Sequence, residues 1–161
     1  MHLKSAPAFI VLFLLVGCAS IGNPFLKIAP DYSTVPEEEV RAFAKEVEQF
    51  VILGEREPAF DKYPTINTDQ EELRQAIRTR AARAHLVKEL LDSGFAYEQK
   101  SGTIAIIRSR EYKRATDRRQ RDQNALLVMS ENANRWTLYE ALVESSHWPP
   151  AALGAVQDAF F

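Results

Sequence analysis

At 161 residues the chain is the size of one ordinary domain with a short appendage, and a 46% hydrophobic composition suffices for one core. Its formal net charge of −2, from 20 basic and 22 acidic side chains, excludes a global attraction to nucleic acid or anionic lipid, so any electrostatic partner must be met by a local patch. The lone cysteine excludes an intrachain disulfide.

The chain starts with a basic residue, Lys4, followed by the apolar run Ala8 to Val16, which has signal-peptide length and is too short to span a bilayer. This run ends in Leu15-Val16-Gly17-Cys18, which resembles the lipobox of bacterial lipoproteins. The resemblance implies removal of residues 1–17 and attachment of acyl chains to Cys18, and two or three such chains make a nearly permanent membrane anchor. It also implies a periplasmic, lipid-anchored address, away from nucleic acid, with no thiol left for redox chemistry or metal binding. Ala19 stands where an inner-membrane lipoprotein often carries Asp, which favours the outer membrane over the inner. A plain cleaved leader or a transmembrane anchor, with Cys18 incidental, is the alternative.

Residues 18–33, rich in Pro, Gly, Asn and Ser, read as a tether, and residues 34–161 as a single globular domain. Thr34-Val35-Pro36-Glu37 has capping-box spacing and predicts a helix to about Leu53, with Val40, Phe43, Ala44, Val47, Phe50 and Val51 on its core face and Gly54 as its stop. Glu55 to Asn67, with two prolines, reads as a loop. Thr68-Asp69-Gln70-Glu71 repeats the capping spacing and opens a second amphipathic helix that ends at Gly94. Arg74, Arg78, Arg80 and Arg83 crowd the middle of that helix and read as solvated, with a phosphate-binding or partner-facing strip as the alternative. His85 reads as a surface residue, because no second ligand stands at metal-binding spacing from it.

After Gly94 the period shortens. Phe95 to Gln99 and Thr103 to Ile107 predict two short strands around Lys100-Ser101-Gly102, with Gly102 left-handed and Phe95, Tyr97, Ile104 and Ile106 packed on the helices. Arg108 to Asp122 carries seven cations against three carboxylates, the strongest electrostatic feature of the chain. It reads as a solvated helix start, with lipid phosphates, peptidoglycan carboxylates or an acidic partner as alternatives. A third helix follows over Arg119 to Ser145 with Leu126, Met129, Ala133, Trp136, Leu142 and Val143 inward, and Pro150 opens a short last helix carrying Leu153, Val156 and Phe160. The expected fold is α+β and mainly helical: three or four helices with one small β-hairpin.

Gly94, Glu98 and Gly102 at spacings of four, followed by Asn132, Arg135 and Tyr139 in the segment ENANRWTLY, resemble the YdbL-like family of small periplasmic proteins, a domain of unknown function. The similarity covers about residues 74–160. The chain departs from the family at Tyr97, where a glycine is usual, in its lipobox, and in the added helix around Val40 to Val51. What the resemblance implies is an accessory, non-catalytic role without a cofactor, beside a small outer-membrane lipoprotein and an AsmA-like protein of envelope phospholipid transport.

Read from the residues alone, Asn132, Arg135 and Tyr139 share one helical face and can reach Glu98, so an ion pair between Glu98 and Arg135 would lock hairpin to helix. The same groups could instead line a binding site for a lipid headgroup, peptide or glycan. A hydrolase using Glu98 and Glu131 is the weakest reading. It has no supporting nucleophile elbow, His-Glu-x-x-His pair or phosphate loop, and it requires the two carboxylates in a cleft away from arginine. An enclosed apolar cavity would favour lipid carriage, and close packing a scaffold.

Overall fold

Val40, Phe43, Ala44, Val47 and Val51 recur every three or four residues and are all buried, which makes α1 (Glu37–Leu53) a core helix. It ends where predicted: Gly54 is left-handed at φ 73°, and its N–H and that of Glu55 return to the carbonyls of Val51 and Phe50. Its start differs from the capping-box expectation. Pro36, not Thr34, is the N-cap, so the threonine hydroxyl lies too far back and no side chain caps the free amides. Glu37, Glu38 and Glu39 complement the helix dipole instead. The second box fails likewise, because α2 (Glu71–Asp92) has Gln70 as N-cap, and the Thr68 carbonyl accepts from Arg74 Nε at 2.9 Å.

This computed structural model describes residues 27–57, 59–60 and 62–161. The apolar leader, the lipobox with Cys18 and most of the proposed tether lie outside the described residues. The tether's last part is built into the domain: the Ile28 N–H donates to Gln157 Oε1 at 2.8 Å and the Tyr32 hydroxyl to Asp158 at 3.0 Å.

From α2 the chain enters β1 (Ala96–Glu98) and β2 (Ile104–Ile106), an antiparallel hairpin with Ala96 opposite Ile106 and Glu98 opposite Ile104. Ala96 and Ile104 are buried with Val87 and Leu90 in a small core of their own. Tyr97 points the other way and is half exposed, contrary to expectation, because alternation along the strand turns its neighbour Ala96 into the core. A short α3 (Arg110–Ala115), not separated in the sequence reading, precedes α4 (Arg118–Ser145), whose N-cap Asp117 accepts from the Gln120 N–H. A 3-10 turn at Pro150–Ala152 leads into α5 (Leu153–Ala159). The main core gathers α1, α2, α4 and α5 around Phe43, which meets Phe60, Tyr63 and Phe160 edge to face.

The described residues thus form five α-helices and one hairpin, a mainly helical α+β fold. Among them, no helix is long and apolar enough to cross a membrane.

The inward face of α4 is the largest departure from expectation. Leu126 and Met129 are about two-thirds exposed and Ala133 is also outside, while Glu131, Arg135, Leu138, Tyr139 and Leu142 are buried. The helix turns a partly charged stripe to the interior because charges of opposite sign meet it there.

Candidate functional site

Arg135 organises the motif cluster. Its guanidinium donates to Glu98 Oε1 at 2.8 Å, to Glu131 Oε1 at 2.9 Å and to the Gly102 carbonyl at 3.2 Å, so one side chain holds strand, turn and its own helix. The Tyr139 hydroxyl donates to the same carbonyl at 3.1 Å. Gly102 is left-handed at φ 70°, and a Cβ there would stand 2.7 Å from that hydroxyl, so both backbone and space require glycine. One turn earlier on α4, Asn132 accepts from the Ile104 N–H at 2.7 Å and donates to the Ile104 carbonyl at 2.9 Å, occupying the free edge of β2 as a third strand would.

Four of the six motif residues, Glu98, Gly102, Arg135 and Tyr139, therefore meet, and Asn132 grips the adjoining strand at Ile104. Gly94 does neither: it turns the chain from α2 into β1 at φ 72° with open space around it.

Sequence reasoning missed the deeper half of the cluster. Arg80, read as solvated, is 1% exposed and forms a two-pronged pair with Glu48 of α1 at 2.7 and 2.9 Å, while its Nε reaches Glu131 Oε1 at 2.9 Å. Arg83 is half-buried as well and binds Ser130 on α4. A signal for Arg80 existed, since it stands in register within the stripe Leu73, Ala76, Ile77, Ala84 and Val87. Gln157 of α5 closes the other side, donating to the Ser101 carbonyl at 2.7 Å.

The charges in this cluster are fixed. Burial pushes the Glu131 carboxyl up, but Arg80 and Arg135 outweigh it and hold its pKa below the ordinary 4.5. Burial also disfavours charge on Arg80, which Glu48 and Glu131 overcome, so its pKa ends up raised. Tyr139 is pushed up to about 12, chiefly by burial. Glu98 and Glu131 both bind Arg135, so the arginine-free pair that a hydrolase requires is not formed. Among the described residues no group of His, Cys, Asp or Glu could hold a metal ion, and His85 is exposed.

Above the cluster runs an open groove of about 630 Å³ between the end of α1, the middle of α2, the hairpin and the last residues of the chain. Arg80, Glu131 and Arg135 contribute to its floor, Ala84, Val87 and Leu91 to one wall, and the exposed Ile52, Leu53 and Phe161 to its rim.

No family model matches this chain, nor does any curated protein or solved structure. The likeness to the YdbL-like family accordingly rests on the motif residues themselves.

Proposed function

We propose that this chain is a lipid-anchored cell-envelope protein that acts by binding, without turnover, as an accessory of a phospholipid-transport system containing an AsmA-like protein. The lipobox at Cys18 supports the placement in the periplasm, and Ala19 supports the outer membrane. The observation that carries the binding role is the division of labour at the motif: Glu98, Glu131, Arg80 and Arg135 are occupied with one another, and the surface left for a ligand is an apolar-rimmed groove above them.

A second reading, a lipid- or glycan-binding module, is favoured by the same groove, whose rim of Ile52, Leu53 and Phe161 suits an apolar chain with a polar end. The groove is not an enclosed cavity, and its floor is formed by the charged side chains of Arg80, Glu131 and Arg135, which favours docking over carriage of an enclosed cargo.

A photo-crosslinking residue placed at Leu53 of the full-length protein in intact envelopes tests both, with Cys18→Ser as the control for anchoring. Capture of an AsmA-like protein or a small lipoprotein supports the accessory role. Capture of phospholipid or glycan alone moves the assignment to the second reading, and capture of neither, from a folded and anchored protein, overturns both. Arg135 is unsuitable as a contact probe, because its buried guanidinium holds the hairpin in place.

A further inference from the structure

The arginines of the rest of the domain are largely neutralised: Arg41, Arg74, Arg78, Arg80, Arg83 and Arg135 all stand in ion pairs. Arg108, Arg110, Lys113, Arg114, Arg118 and Arg119 differ. All six are exposed, and among the described residues none has a carboxylate partner. Two of the nearby acids are engaged elsewhere, Asp117 capping Gln120 and Glu111 held by its own amide and Ser109, while Asp122 is exposed. Arg121 ties this region together by donating to the carbonyls of Lys113 and Thr116.

Two of these cations sit where helix physics disfavours them. The first turns of α1, α2 and α3 carry acids, whereas that of α4 carries Arg118 and Arg119 and no acid, against the positive end of the helix dipole. Asp117 at the N-cap answers that end of the dipole through the Gln120 N–H, which leaves Arg118 and Arg119 exposed and in no ion pair among the described residues. At 100° per residue, Arg118, Leu126, Met129 and Ala133 fall within about a quarter-turn of one another, with Arg119 at the border. Leu126 and Met129 are 64% and 66% exposed, and Ile107, next to Arg108, is 41% exposed. Cations beside protruding apolar side chains are what an anionic bilayer surface accepts: phosphates meet the arginines while Leu126 and Met129 enter the acyl boundary.

We propose that the basic end of α4, together with α3, is a docking face for an anionic phospholipid bilayer, independent of the lipid on Cys18. Such a face holds the domain flat on the membrane and so fixes where the groove opens. The net charge of −2 does not oppose this, because the attraction is set within a Debye length of the patch.

The test uses the full-length, processed lipoprotein carrying Met129→Cys with an environment-sensitive label, reconstituted in vesicles of phosphatidylcholine alone or mixed equally with phosphatidylglycerol. Brominated acyl chains are expected to quench the label in the mixed vesicles only. The triple variant Arg114→Gln, Arg118→Glu, Arg119→Glu is expected to weaken that docking on the order of a hundredfold without lowering the melting temperature, since acids suit the start of α4 and an uncharged residue is tolerated at exposed position 114 in the last turn of α3. Leu126→Ser reduces quenching with the charges intact. Quenching that is absent, equal in phosphatidylcholine, or unchanged in the triple variant overturns the proposal. Shielding that occurs only in whole envelopes also overturns it and assigns the face to a protein partner. Co-flotation with vesicles reads the Cys18 anchor separately, so failure of the anchor and failure of docking are distinguishable.

Discussion

Arg80 of α2 and Glu131 of α4 meet at 2.9 Å with side chains 1% and 2% exposed, and Glu131 is at once the partner of Arg135. One carboxylate oxygen thus accepts from two buried guanidinium groups. Removing it by Glu131→Ala leaves both arginines with less compensation, Glu48 and Glu98 lying at their outer ends. We expect a loss of about 3–5 kcal/mol, read as a shifted urea midpoint. The exposed pair of Glu37 and Arg41 serves as the comparison, where Glu37→Ala should shift stability by no more than about 0.5 kcal/mol.

The same carboxylate makes the fold acid-sensitive. The folded-state pKa of Glu131 is depressed, so its contribution is fully present above the ordinary carboxylate value and is lost as pH falls through the lower folded value. Asp158 and Glu46 act in the same direction, burial opposing and Arg41 or Lys62 prevailing. At the alkaline end, Tyr139 has its pKa raised from 10.0 to about 12, so stability is full below pH 10 and declines as pH rises toward 12. Denaturant midpoints across pH should therefore show a plateau with two shoulders. Glu131→Gln should reduce the acid one, and Tyr139→Phe the alkaline one, to which Tyr32, also raised to about 12, contributes as well.

Much of this fold was readable because α1, α2 and the hairpin obey simple periods, and Gly54 and Gly102 hold the left-handed positions their spacing requires. Helix α4 was misread for a physical reason. A rule that sends leucine inward and arginine outward fails when buried charges arrive in compensating sets, and here the compensation comes from Arg80, 51 residues before Glu131. Glu131 and Arg135 four apart were visible, but their third partner was not, since nothing local to α4 announces it. The capping boxes failed for a different cause: their spacing was right, but both helices start too late for Thr34 or Thr68 to reach a free amide.

Glycine substitutions should separate turn strain from close approach. Gly94 and Gly102 share nearly the same φ, 72° and 70°, but only Gly102 faces a side chain. Gly94→Ala is therefore expected to cost about 1 kcal/mol, and Gly102→Ala more, because Tyr139 must also move and release its bond to the Gly102 carbonyl. Adding Tyr139→Phe to Gly102→Ala removes the obstructing hydroxyl and should recover part of the difference. A double-mutant cycle on thermal stability measures it; additivity would show that the two residues do not compete for space.

Gly154 tests where the domain begins. It is buried in α5 against Ile28 and Ala29, and a Cβ there would collide with the Ala29 backbone carbonyl, which has no rotamer by which to yield. Among the described residues the side chains of Gln157 and Asp158 bond the segment at 28–32 to α5, whose own backbone is a continuous helix, so the segment should give way before the helix does. Gly154→Ala is accordingly expected to leave the helical signal intact while exposing the bond after Lys27 to trypsin. Gln157→Ala should loosen the same segment by removing the acceptor for Ile28, and should weaken the turn at Ser101 as well, because the other end of that amide holds it. Equal trypsin resistance in Gly154→Ala and the parent would mean that residues 28–32 are not seated on α5 and that the tether extends to the start of α1.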